Sequence, residues 1–171
     1  MPVRFTHLQN HPTMLSGIKV GRKINSKVTI AVSVYHSFYL NSFKSEANLV
    51  GFDPQPRLFI NCTGIEMQYS LYKRKKLEVS IQALGGWGFM KYDLKMNDFK
   101  SRQLNYFTIE PSIALNHEIN PATYVGIGAG YRSVLTKKGI NYSSSVSSGE
   151  IPVHQSFPNG LVIVLTIAGY F

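Results

Sequence analysis

Apolar and polar residues alternate along much of the chain with a period of two, which is the period of a β-strand. Residues 28–41 show it most clearly. One face of this segment carries Val28, Ile30, Val32, Val34, Phe38 and Leu40, interrupted only by His36. The other face carries Thr29, Ala31, Ser33, Tyr35, Ser37, Tyr39 and Asn41. The pattern predicts a strand with one apolar wall and one polar wall.

The same design recurs often enough to predict eight strands. Further strands are expected at residues 3–9, 13–24, 58–72, 77–90, 105–119, 123–134 and 161–171. The pattern is clear in residues 77–90 and weaker in residues 58–72, where Leu58 and Ile60 fall on the polar face. An extra residue in one strand would reverse the faces, so a β-bulge is expected there.

Apart from the first link, around residues 9–12, which is also short, the connections between these strands alternate between short and long. Tight turns are expected at residues 25–27, 73–76 and 120–122, and long polar connections at residues 42–57, 91–104 and 135–160. Short turns at one end and long loops at the other are typical of outer-membrane barrels. We therefore predict an all-β, eight-stranded antiparallel up-and-down transmembrane barrel in a single domain, 1–171. The serine-rich residues 141–150 are expected to form a solvated loop tip.

Side-chain size indicates which wall faces the lumen. The polar wall is rich in small residues, including Gly64, Gly86, Gly88, Gly126, Gly128 and Gly130. Small residues suit a narrow eight-stranded interior, so the bulky apolar wall is expected to face lipid. The alternative is a soluble β-barrel that binds a hydrophobic small molecule, in which the apolar wall would line a cavity.

Acids and bases also lie on the polar wall, where they could neutralise one another inside a closed lumen. They are Lys19, Glu66, Glu78, Glu110 and Arg132. We expect these residues to form a lumen charge network with a structural role. A proton or ion path is the functional alternative.

Composition and charge exclude some classes of protein. No stretch approaches the roughly 18 to 20 consecutive apolar residues that a membrane-spanning helix needs, and the mean hydropathy is -0.05. The formal charge is +9, but no recognition element for nucleic acid accompanies it. The single cysteine, Cys62, lies in a predicted strand and is interpreted as a packing residue.

Many of the basic residues cluster at the predicted short-turn end. They are Arg22, Lys23, Lys27, Lys73, Arg74, Lys75 and Lys76. This end should face the periplasm, where the cluster could meet anionic lipid head groups or remain solvated.

Candidate chemistry is sparse. The five histidines show no close spacing of the kind that metal sites use, so neither a metal nor another cofactor is expected. His36 and Ser37 are adjacent, yet neighbouring strand residues point to opposite faces, so they cannot form a catalytic pair. We expect no enzyme activity, although a lipid-modifying outer-membrane barrel enzyme is a lower alternative. Trp87, Phe89, Tyr92, Tyr106 and Phe107 are expected in interfacial aromatic girdles.

The chain ends in LVIVLTIAGYF, with Phe171 preceded at alternate positions by Ile167 and Leu165. This end resembles the C-terminal strand signature that assembly machinery recognises in outer-membrane barrels. Residues 2–40 and the segment ALGGWGF at residues 83–89 look like outer-membrane β-barrel domain proteins of unknown role from diderm bacteria. The resemblance implies a monomer in the bacterial outer membrane, with membrane lipid and the barrel-assembly machinery as partners and a structural or surface-interaction role.

The first ten residues, MPVRFTHLQN, contain no apolar core of a secretory signal peptide. Three explanations stay open: the chain is a mature or trimmed form, its start is an internal methionine, or it is not a membrane protein. The resemblance favours a truncated N-terminus, which would leave the first strand incomplete.

Overall fold

The computed structural model describes residues 1–8, 11–37, 57–93, 100–101, 103–120, 123–136, 139–143, 148–152 and 159–169. Its regular elements are all strands. They are β1 (Pro2–Leu8), β2 (His11–Lys23), β3 (Val28–Ser37), β4 (Arg57–Arg74), β5 (Leu77–Asp93), β6 (Lys100–Ser101), β7 (Leu104–Asn120), β8 (Thr123–Thr136), β9 (Gly139–Ser143), β10 (Ser148–Pro152) and β11 (Gly160–Gly169). None of the described residues belongs to a helix long and apolar enough to cross a membrane.

Eight of these strands form a closed barrel. The order around the ring is β1-β11-β8-β7-β5-β4-β3-β2, and every neighbouring pair is antiparallel. The ring closes where β1 pairs with β11, for example at Phe5 and Ile163. The all-β, eight-stranded antiparallel barrel predicted from the alternation is thereby confirmed. Closure leaves no barrel strand with an unpaired edge.

The three remaining strands form a small separate sheet with the order β10-β9-β6. Its strands come from two of the long connections, so it lies at the long-loop end. The serine-rich stretch predicted as a solvated tip includes parts of a hairpin, because β9 pairs with β10 from Ser143 and Ser148 onward. Residues 144–147 lie outside the described residues.

The bulge expected near Leu58 and Ile60 was wrong. The pairing of β4 with β5 runs without a shift until Ser70, and the irregularity lies between Ser70 and Tyr72. Ile60 is buried and shares a face with Glu66, so it faces the lumen. The error arose from the assumption that the lumen wall is polar along its whole length.

The bulky residues face outward all around the barrel. Each barrel strand contributes at least one exposed large apolar side chain: Phe5, Ile18, Val32, Ile65, Ile81, Ile113, Ile127 and Ile163. Of the aromatic residues expected in girdles, Trp87 and Phe107 are exposed on this outer face. Tyr106 was misplaced, because its side chain is 5% exposed and lies in the lumen. The side chain of Tyr92 is outside the described residues.

Two nearby glycines of β5 give a matched test of how tightly the lumen is packed. A Cβ atom at Gly88 would lie 2.2 Å from the backbone oxygen of Asn61 and 2.5 Å from the ring of Tyr106. At Gly85, on the outer face, no heavy atom lies within 4 Å of such an atom. Gly88→Ala should therefore lower the free energy of unfolding by about 1–3 kcal/mol through overpacking.

Gly85→Ala should leave the free energy of unfolding within about 1 kcal/mol of the parent or raise it, because alanine restricts the unfolded chain. Urea unfolding in detergent micelles measures both variants. Equal effects of the two substitutions would show that the lumen beside Tyr106 is not closely packed.

Candidate functional site

The middle of the lumen is crossed by one arginine. Arg4 lies on β1, and its guanidinium reaches carboxylates on the far side of the ring, where β4 and β7 flank β5. Its Nη2 lies 2.8 Å from Oε1 of Glu66, and its Nη1 contacts Oε1 of Glu110. Arg4 is 2% exposed and Glu110 is 1% exposed. This arginine therefore ties the first strand to two strands across the barrel.

Each carboxylate is also held by a second cation. Lys19 on β2 places its Nζ 2.8 Å from Oε2 of Glu66. Arg132 on β8 donates from Nε at 2.9 Å and from Nη2 at 2.7 Å to Oε2 of Glu110. The two carboxylates are thus bridged by Arg4 and flanked by two further cations. A buried charge paired and hydrogen-bonded in this way avoids most of the cost of isolated burial.

Tyr35 on β3 completes the cluster. The guanidinium carbon of Arg4 lies 4.4 Å from the centroid of its ring, within cation–π distance. The Tyr35 hydroxyl accepts a hydrogen bond from Nη2 of Arg4 at 3.0 Å and donates one to Oε1 of Glu66. Tyr35 therefore fixes the orientation of both charged groups.

Of the five residues expected in the lumen charge network, the structure brings four together: Lys19, Glu66, Glu110 and Arg132. It adds Arg4 and Tyr35. We keep the name lumen charge network for these six: Arg4, Lys19, Tyr35, Glu66, Glu110 and Arg132. Glu78 does not join them.

Glu78 also faces the lumen, but it lies nearer the short turns. It accepts a hydrogen bond from Nε2 of Gln68 at 3.2 Å, and Gln68 in turn accepts one from Gln82 at 3.4 Å. These groups form a separate polar chain toward the short-turn end of the lumen. In the sequence Glu78 and Glu110 both lie on the polar face of a predicted strand. Glu78 is next to the start of its strand, whereas Glu110 is well inside its strand.

An apolar layer lies in the lumen on the long-loop side of the network. We call it the apolar plug; it consists of the buried Ile60, Met90, Leu104, Tyr106 and Val134. Ile60 pairs with Met90, and Met90 pairs with Leu104, so three neighbouring strands present large side chains at one level. The Tyr106 hydroxyl donates to the backbone oxygen of Asn61 at 2.8 Å. Cys62 is a buried free thiol on the same wall.

Comparison with solved structures found a likeness to the crystal structure of Neisserial surface protein A (NspA). The TM-score is 0.63 at 11% sequence identity, over 98% of this chain and 89% of that chain. The fold is that of a small outer-membrane-type barrel. At this identity the likeness concerns the fold alone. No protein-family model matches the chain, and no curated protein does so.

His36 and Ser37 lie on opposite faces of β3, so they do not form a catalytic pair. His36 is exposed on the outer face, whereas Ser37 is buried and its Oγ accepts a hydrogen bond from the amide of Ile60 at 2.9 Å. Within the described residues, no three histidine, cysteine or acidic side chains are grouped to hold a metal ion. Leu165 and Ile167 are exposed on the outer face, and Phe171 lies outside the described residues, so their role as an assembly signal stays a prediction.

Two apolar furrows lie on the outer wall rather than in the lumen. One has a volume of about 490 Å³ and includes Met67, Ile81 and Pro111; the other has about 530 Å³ and includes Leu115 and Ile127. The soluble alternative required the apolar wall to enclose a ligand. In the structure the apolar wall faces outward, so it does not enclose the ligand cavity that the soluble alternative requires.

Substitution of two glutamates, one inside the lumen charge network and one outside it, tests how much the network contributes to stability. Glu110→Gln removes the charge that Arg4 and Arg132 share, and we expect it to lower the free energy of unfolding by about 3–5 kcal/mol. Glu78→Gln changes a partly exposed carboxylate that accepts one amide hydrogen bond, and a loss below about 1 kcal/mol is expected. Guanidinium chloride unfolding in micelles compares the two variants. Equal losses in the free energy of unfolding would contradict a network that includes Glu110 and excludes Glu78.

Proposed function

We propose that this protein is a bacterial outer-membrane barrel with a structural or surface-interaction role and no catalysis. The observation that carries the proposal is the outer wall, on which every barrel strand exposes a large aliphatic or aromatic side chain. Ile18, for example, is 70% exposed. Closed barrels with an outward apolar band are the form in which strands cross a bilayer, because every backbone group is paired within the ring.

Water would make such a wall costly. Monomeric soluble proteins rarely expose contiguous apolar patches larger than a few hundred Å². Burying apolar surface contributes roughly 25 cal/mol per Å², so a belt around the whole ring strongly favours lipid over water. The polar, charged and small residues of the same strands are turned into the lumen, which is the arrangement of a membrane barrel.

The interior supports a structural role over transport. The lumen charge network places mutually paired groups in the middle of the barrel, and the apolar plug lies on its long-loop side. The small sheet of β6, β9 and β10 comes from the connections at that end, where a surface partner would contact the protein. The similar fold of NspA, which is named a surface protein, is consistent with a surface role.

The proposal is tested by fractionating cells that express the full open reading frame encoding this chain. We expect the protein in the outer-membrane fraction. On a gel it should migrate differently before and after boiling, because a folded barrel resists dodecyl sulfate until it is heated. Recovery in the soluble fraction without detergent would overturn the proposal, and hydrophobic-ligand screening would follow.

A closed lumen also predicts the absence of a conducting pore. Purified barrel reconstituted in a planar bilayer should give no stepwise current, because eight strands leave room for little more than side chains. A porin reconstituted in the same bilayer is the positive control. Reproducible unitary currents from the folded protein would contradict a purely structural lumen and would favour the ion path.

A further inference from the structure

Two neighbouring hairpins at the short-turn end carry a dense group of cations. The β2–β3 hairpin supplies Arg22, Lys23 and Lys27, and the β4–β5 hairpin supplies Lys73, Arg74, Lys75 and Lys76. We call these seven residues the basic rim; all are exposed. The amide of Ser70 donates to the backbone oxygen of Lys27 at 2.7 Å, which joins the two hairpins at their base.

Few carboxylates lie near the basic rim. Among the described residues at this end, the acidic side chains are Glu78 and Glu118, and both belong to the lumen faces of their strands. Glu118 lies 3.1 Å from Lys73. The seven cations therefore outnumber the two acidic side chains, and both acids belong to the lumen faces rather than the outer face. Such an excess of one sign attracts an anionic partner.

The rim continues directly into the apolar outer wall. Arg22 follows Ile18 and Val20 on the outward face of β2, and Arg74 pairs with the exposed Leu77. Ile24, Leu71 and Tyr72 are also exposed at this level. A guanidinium at the edge of an apolar, partly aromatic surface lies at the depth of lipid head groups.

We infer that the basic rim is a binding site for the phosphate groups of anionic phospholipids in the leaflet that faces the short turns. The inference rests on the proposed membrane location, which places this edge at the bilayer surface. A lipid fits better than an acidic protein because the cations border the apolar wall, so one ligand can place acyl chains on the wall and its phosphate on Arg22 or Arg74.

The test uses the full chain folded in mixed micelles that contain equal amounts of phosphatidylglycerol and phosphatidylcholine. Lipid retained after purification is quantified by mass spectrometry at low and high salt. We expect phosphatidylglycerol to be retained several-fold over phosphatidylcholine at low salt, with the preference reduced at high salt. In the double variant Arg22→Gln with Arg74→Gln the two lipids should be retained almost equally, since each cation near an anionic surface contributes up to about a factor of five.

The matched control removes two cations at the other end of the barrel, Lys91→Gln with Lys100→Gln, and should retain the parent preference. Equal retention of the two lipids by the folded parent would overturn the inference, as would a double variant that keeps the full preference. Binding of polyglutamate to the rim without any lipid preference would assign the site to an acidic polypeptide and also overturn it.

A heat-modifiability gel on the same samples separates this inference from the proposed function. A folded barrel without lipid preference removes the rim site alone, whereas a chain that does not fold in lipid removes both. If the double variant does not fold, the lipid preference of the parent and its salt dependence still decide the question.

Discussion

Arg4→Ala should be among the most destabilising single substitutions in the described barrel, with a loss of about 3–5 kcal/mol in the free energy of unfolding. The substitution leaves Glu66 and Glu110 buried with one cation each. It also removes the guanidinium from the ring of Tyr35 and cuts the connection between β1 and the opposite wall. Removing one partner of a buried ion pair is costly because the other charge stays out of water.

Trp87 provides the measurement, because it is the single tryptophan and its side chain is 63% exposed on the outer face. Its fluorescence should report denaturant unfolding in micelles, and Trp87 is not itself part of the lumen charge network. Arg22→Ala is the matched control, since it removes an exposed arginine from the neighbouring strand and should change stability by less than about 0.5 kcal/mol. An Arg4→Ala variant as stable as Arg22→Ala would show that the cluster does not hold the barrel together.

Ile127→Lys should destabilise the membrane-inserted barrel by about 2–4 kcal/mol. Ile127 lies well inside β8, is 54% exposed on the outer wall, and is directly flanked by Leu115 and Leu165. A lysine there carries its charge into the hydrocarbon, so insertion into vesicles should also slow or fail. Folding titrations in lipid vesicles measure the change.

Ile24→Lys is the matched control for this prediction. Ile24 is 59% exposed but lies at the short turn between β2 and β3, where a charge reaches the interface and should cost about 0–1 kcal/mol. In a soluble barrel both isoleucines would be exposed to water, and either lysine would be harmless. Equal, small effects of the two substitutions would therefore contradict a lipid-facing wall.

The fold could be predicted from the sequence because one observable, the alternation of side chains, determines both the strands and the wall that each residue joins. In residues 28–41 the alternation places Ser33 and Tyr35 together, and both prove buried. The three tight turns, the three long connections and the short first link then order the eight strands into a meander. In such a meander only the first and last strands have an unpaired edge, and pairing these two edges with each other closes the ring.

The centre of the lumen could be predicted only in part. Arg4 was missed because the first strand is short, so the alternation of Pro2, Arg4 and Thr6 with Val3 and Phe5 gives only a weak signal. Its partners lie 62 and 106 positions further along the chain, and only ring closure brings such distant residues together.

The apolar plug was missed for a different reason. Leu104, Met90 and Ile60 break the rule that lumen residues are polar or small, so Ile60 was explained by a bulge. A barrel whose lumen does not conduct can bury large apolar side chains inside as well as outside. Such residues give no signal in the alternation except an apparent error of register.

Quenching of Trp87 fluorescence by brominated phospholipids shows whether the apolar wall faces lipid. The chain is folded into vesicles whose acyl chains carry bromine at defined depths. A lipid-facing Trp87 should be strongly quenched by bromine and only weakly by aqueous iodide. A lipid-facing wall would be contradicted by strong quenching by iodide with no effect of the brominated lipids. It would also be contradicted by a chain that stays in solution beside the vesicles.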